Sequence, residues 1–168
     1  MKKATINDLF EPAIALEHAT EAFYTGLARL FAHEPEAARF WNRYADEEAG
    51  HARFLEDLRK KLDESKLRQP AETWMVESAH AQLKVSPEQL FKGIHNLEEA
   101  YQTAVEIENS ETNSIFEFLI TDFALTNPSG EFLREQLHNH IEKLNSTFPA
   151  NFQSRMKRLG VLAADKSS

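Results

Sequence analysis

The chain has 168 residues, of which 42% are hydrophobic and 27% charged, with a net charge of −8 and no cysteine. That length suffices for one domain with a real core, and the acidic balance excludes the basic surface that non-specific binding to nucleic acid or an anionic membrane requires. Without cysteine, these residues form no disulfide, zinc ribbon, thiol nucleophile or iron–sulfur cluster, so any metal here rests on carboxylate and imidazole.

The opening MKK is not followed by an apolar core of signal-peptide length, and no apolar run is long enough to span a bilayer. The expectation is a cytoplasmic protein and a single domain over residues 1–168. Five glycines and six prolines are few for this length and favour long helices over a turn-rich β fold.

The first helical pattern begins at Thr5 or Asn7 and runs to Phe31, and HEPE (His33 to Glu36) turns the chain. A second pattern follows from Pro35 to Leu67, with Pro70 as its stop. A connector from Gln69 to Val85 contains AETWMVESAHAQL, which suits a short helix. SPE (Ser86 to Glu88) reads as a helix start, Ser as N-cap and Pro at the first helical position. The third pattern extends from there to about Thr126, and its length predicts a bend or break before Tyr101. TNPSG (Thr126 to Gly130) makes the next turn. The fourth helix then runs to Thr147, where Pro149 stops it, and a short amphipathic tail, NFQSRMKRLGVL, is expected to pack on the outside. Two tight hairpins joined by a longer connector predict an all-α four-helix bundle with one crossover. AIALEHATEAFY (Ala13 to Tyr24) lines up with AVEIENSETNSI (Ala104 to Ile115), Glu17 on Glu108, a faint internal duplication.

At about 100° per residue, each helix carries polar residues inside its apolar face. In the first, Glu17 lies between Phe10, Ile14, Tyr24, Ala28 and Phe31, with Glu21 close by. In the second, Glu48 and His51 fall among Phe40, Tyr44, Leu55, Leu58 and Leu62. In the third, Glu108 is central and Glu111 sits one turn on, somewhat to the side. In the fourth, His140 is central among Leu133, Leu137, Ile141, Leu144 and Phe148. Burying unpaired carboxylates costs several kcal/mol each and three together repel. Such a core needs metal, or else shared protons and buried water. Oxygen and nitrogen donors suit iron or manganese, and also zinc.

AIALEHATEAFY, RYADEEAGHARFLEDL, AYQTAVEIENSE and HNHIEKL resemble the rubrerythrin branch of the ferritin-like superfamily, from Leu9 to Leu144. The resemblance implies a ferritin-like bundle around a carboxylate-bridged di-iron centre, which couples oxidation of iron(II) to reduction of hydrogen peroxide or dioxygen. It assigns Glu17 as the first-helix ligand and Glu48 and His51 as the Glu-x-x-His of the second. Glu108 becomes the third-helix ligand, and Glu111 the further carboxylate one turn later. The fourth helix departs from the pattern. Glu135-x-x-His138 has the literal motif but faces away from Leu133, Leu137 and Ile141; His140 faces inward, with Leu137 where a carboxylate is expected. The family's rubredoxin-like domain needs four cysteines, so the electron donor is expected to be a separate molecule.

These readings favour a peroxide- or dioxygen-reducing oxidoreductase with two irons per chain. The alternative is a non-catalytic iron-binding, storage or sensing protein with a degenerate site. Glu21 is expected to orient His51. His18, His33, His80 and His95 read as surface or boundary histidines, Trp41 and Trp74 as packing residues, and Tyr24 and Tyr101 as core tyrosines with satisfied hydroxyls. Hairpins of this kind pair across homodimers, for which the tail or the Trp74 connector offers an interface, by analogy alone.

Overall fold

The computed structural model describes residues 4–124 and 128–148. Within those limits the side chains of Pro87, residues 111–113, Pro128, Ser129, residues 136–138, His140, Ile141, Asn145 and Thr147 lie outside the description. The described residues hold helices and no strand: α1 (Ile6–Leu30), α2 (Pro35–Lys61), α3 (Glu64–Leu67), α4 (Thr73–Gln82), α5 (Pro87–Phe91), α6 (Leu97–Glu108), α7 (Glu111–Phe123), α8 (Pro128–His138) and α9 (His140–Thr147). None is long and apolar enough to cross a membrane. The expected C-terminal amphipathic tail lies outside the described residues.

Helix starts follow local chemistry. Thr5 caps α1: its hydroxyl accepts from the Asp8 amide while the Asp8 carboxylate accepts from the Thr5 amide at 3.0 Å. Ser86 and Gln89 form the same reciprocal box at α5, with Pro87 in the first turn as expected. The breaks also have local causes. The second pattern stops as a helix at Lys61, short of the expected Leu67, because Leu62 turns extended and the Asp63 carboxylate caps the separate turn α3. The third pattern breaks before Tyr101, as its length predicts: Asn96 starts α6 by accepting from the Glu99 amide at 3.0 Å, and Glu99 accepts from the His95 amide. It breaks again after Glu108. There the Asn109 side chain donates to the Val105 carbonyl at 2.8 Å, competing with the helical backbone. The fourth helix is interrupted at Asn139.

The N-terminal hairpin packs α1 against α2, and α7 packs against α8 in the second; α4 of the crossover lies on α1 and α7. An isolated bridge between Thr5 and Pro70 fastens the end of α3 to the start of α1, with the Ile6 amide donating to the Gln69 carbonyl at 2.9 Å.

Two apolar clusters fill the bundle, one at each end. The first holds Phe23, Tyr24, Leu27, Phe40, Trp41, Tyr44, Tyr101, Leu144 and Phe148. The second holds Ile6, Leu9, Phe10, Leu55, Leu58, Ile115, Phe116 and Leu119. Reading each helix from one cluster to the other gives its direction. Helix α1 runs from the second cluster to the first, α2 and α6–α7 run from the first to the second, and α8–α9 returns. Thus α2 and α6–α7 are parallel, which only a crossover permits. This is a ferritin-like helical bundle.

Trp41 is fully buried, and its indole N–H has no hydrogen-bond acceptor among the described residues. Trp74 departs from the packing role expected of it. It is half exposed on α4, whose face toward the bundle is carried by Ala79.

Candidate metal centre

The buried polar side chains among the described residues are Glu17, Glu48, His51 and Glu108. They lie between the two apolar clusters. On α1, Glu17 separates Leu16 from Phe23; on α2, Glu48 and His51 separate Ala45 from Leu55; along α6–α7, Glu108 separates Ala104 from Ile115. Each helix therefore changes from apolar to polar and back at the same level of the bundle.

Helix α2 carries Glu48 and His51 one turn apart, and its packing on α1 brings Glu17 opposite them. His51 Nδ1 lies 3.2 Å from Glu48 Oε2 and 3.4 Å from Glu17 Oε2. One donor atom from each of the three side chains falls within 4.8 Å of the others. The His51 ring is held from α7 by Phe116, with ring centres 4.8 Å apart. Glu108 approaches from α6, and the Tyr24 hydroxyl donates to its Oε1 at 2.5 Å.

Charge explains the protonation this layer favours. Burial raises the Glu48 carboxyl to about 8, opposed by its bond from His51 and reinforced by the charges of Glu17 and Glu108. For His51, burial disfavours the cation, but the bonds to Glu17 and Glu48 outweigh it and raise the imidazole to about 10. Burial, with Glu108 and Glu48 beside it, raises the Tyr24 phenol well above its ordinary range. No lysine or arginine is buried among the described residues. Three carboxylates thus share the core with one imidazole, a donor set short of positive charge. It suits a metal cation with oxygen and nitrogen ligands.

The structure brings Glu17, Glu48 and His51 into contact and sets Glu108 in the same layer. The side chains of Glu111 and His140 lie outside the described residues. By position, residue 111 opens α7 just beyond Glu108, and residue 140 opens α9 between Leu133 and Leu144, which pack with opposite clusters. Of the competing fourth-helix pair, Glu135 is exposed on α8, and the side chain of His138 lies outside the described residues. Glu21 does not orient His51: it is over a third exposed and pairs with His18 Nδ1 at 3.0 Å. His33, His80 and His95 are exposed as expected.

The sequence model of the rubrerythrin family matches residues 8–122, more than half of the chain. The chain belongs to the rubrerythrin family. No curated protein and no solved structure matches it. The matched span contains Glu17, Glu48, His51 and Glu108, the whole buried polar layer among the described residues, and Glu111 as well. The Tyr24 hydroxyl is satisfied, as expected of a core tyrosine, but its partner is a candidate ligand of this rubrerythrin-type site. The pointer in the sequence is its position two helical turns beyond Glu17 on the same face of α1.

Proposed function

We propose that this rubrerythrin-family protein binds iron, two ions per chain, inside the bundle and reduces hydrogen peroxide or dioxygen with electrons from a separate donor. Glu17, Glu48, His51 and Glu108 would hold the metal, with Glu111 and His140 completing the set. The observation that carries this reading is the buried cluster of Glu17, Glu48 and His51, with no buried lysine or arginine among the described residues to balance it. Iron bound there would supply the electrons for cleaving an O–O bond.

The chain's own residues supply geometry and dryness. Glu17 and Glu48 present carboxylate oxygens to one point, and His51 turns Nδ1 toward the same point. Phe116 keeps the imidazole plane in place. Tyr24 fixes the orientation of Glu108 through its hydroxyl. The apolar clusters on either side exclude water, which strengthens every charge interaction in the layer.

A second reading, metal binding without turnover, draws on the exposure of Glu135, which withdraws one carboxylate of the literal fourth-helix motif from the core. Stoichiometry separates the two. Anaerobic loading with iron(II) followed by elemental analysis, then absorbance after one equivalent of peroxide, is the test. About two irons per chain and a new ferric band support the redox centre. A single ion without a peroxide response supports binding alone, and no metal under any loading sinks both.

A further inference from the structure

We propose that the cleft between α1 and α6 is a binding site for a small apolar molecule carrying a protonated amine, set apart from the metal centre. None of Glu17, Glu48, His51 and Glu108 lines it, so the inference does not rest on the metal-centre reading.

The cleft follows from how the helices are set. Helix α1 packs on α2, α4, α5 and α7, but hardly on α6. The two helices run antiparallel and turn matching faces to the gap between them. Leu16, Thr20 and Phe23 recur on α1 at the spacing of one helical face, and Thr103, Ile107 and Ser110 repeat that spacing along α6 and into the turn that follows. Val85 and Leu90 of the crossover complete the lining. The space is about 250 Å³. Pockets for drug-sized ligands start at roughly 300 Å³, so this one fits a single ring or a short alkyl chain.

Most of the lining is apolar: Leu16, Ala19, Phe23, Val85, Leu90 and Ile107. Phe23 is braced by its stack on Phe91, with ring centres 5.5 Å apart. Val85 is half exposed. Covering this surface is the driving force for binding.

The polar groups select the head group. On the helical walls they are Thr20, Thr103 and Glu106. The Thr20 hydroxyl donates to the Leu16 carbonyl at 3.0 Å, and the Thr103 hydroxyl to the Glu99 carbonyl at 2.9 Å. Their protons are committed, so both oxygens offer only acceptor lone pairs. Glu106 is exposed, and its carboxylate has no hydrogen-bond or ion-pair partner among the described residues. Gln82 and Ser110 are engaged in contacts of their own. No lysine, arginine or histidine lines the cleft among the described residues. Acceptors beside an unpaired carboxylate call for a head group that is positively charged and all donor, and an alkylammonium has three donors and no acceptor. The net charge of −8 acts in the same direction and disfavours an anion.

The test is equilibrium dialysis of the full-length protein against phenethylamine, phenethyl alcohol and phenylacetate, which share one ring and differ in the head group. Wild type is compared with Ala19→Phe, which fills the cleft, and with Glu106→Lys, which inverts its charge. Glu36→Lys makes the same charge change at an exposed position of α2 outside the lining. Wild type should bind the amine about tenfold more tightly than phenylacetate, with the alcohol between, because one exposed carboxylate attracts the first and repels the second. Glu106→Lys should reverse that order, Glu36→Lys should keep it, and Ala19→Phe should retain none of the three. Glu106→Lys alters an exposed side chain and decides the question if Ala19→Phe does not fold. No retention of the amine by wild type, equal retention of amine and phenylacetate, or an order that Glu106→Lys leaves unchanged overturns the proposal. So does a wild-type dimer that Ala19→Phe dissociates in gel filtration, which gives the cleft to a second copy of the chain. Iron loading plays no part in the assay, so failure here leaves the metal-centre reading untouched.

Discussion

Glu48→Gln should stabilise the metal-free protein at alkaline pH while removing the metal site. The native state holds the Glu48 proton up to about pH 8, whereas the ordinary carboxyl value is 4.5. Between those values the native state binds more protons than the unfolded chain, so stability falls as pH rises. Each pH unit of displacement corresponds to about 1.4 kcal/mol. The whole displacement is therefore on the order of 5 kcal/mol, reached above pH 8 and absent below the ordinary value. His51 adds a fall of the same sign between its ordinary 6.5 and about 10, which the variant keeps in part through Glu17. Glutamine has nearly the shape of the protonated acid and never ionises. Urea unfolding of chelator-treated protein should find variant and wild type similar near pH 5. Near pH 9 the variant should be more stable by on the order of 4 kcal/mol. A difference that does not change with pH, or one that favours wild type at pH 9, would refute the argument. With iron(II) present the order should reverse, because only wild type gains from binding.

Three further outcomes follow from particular contacts. Metal uptake should release protons and tighten as pH rises, since Glu48 and His51 both hold protons at neutral pH in the metal-free state; proton release in weakly buffered solution measures it. Glu108→Ala should lose most bound metal whereas Glu135→Ala should retain it, as elemental analysis will show, because the first side chain is buried in the polar layer and the second is exposed. Gly130→Ala should destabilise by about 1–3 kcal/mol by urea unfolding, because the new methyl would meet the Ala124 carbonyl oxygen at 2.5 Å, a backbone atom that cannot swing aside. At Gly26 the nearest atoms belong to the Phe91 ring, which stacks on Phe23.

The bundle was legible because periodicity and turn chemistry are local. Thr5, Ser86 and Pro87 announce helix starts through hydrogen bonds and backbone restriction that need only near neighbours. The polar layer was legible for a related reason. A glutamate within an apolar stripe is costly wherever that stripe is buried, so Glu17, Glu48, His51 and Glu108 stood out on their own helices. The breaks at Leu62 and Asn109 were harder to see. There a single Asp or Asn side chain competes with one backbone bond, a contest that periodicity does not register.

The sequence by itself determined the helices, their inward faces and the residue types able to bind a metal, since each depends on spacing along one helix. Only the tertiary structure decided which groups meet. Whether Glu21 turns to His51 or to His18, and whether the Tyr24 hydroxyl finds Glu108, depends on how two helices are rotated and set at one level. Those rotations follow from the packing of apolar clusters drawn from most of the chain. A side chain's partner across the bundle is therefore a property of the whole core, whereas its position on its own helix is a property of a few neighbours.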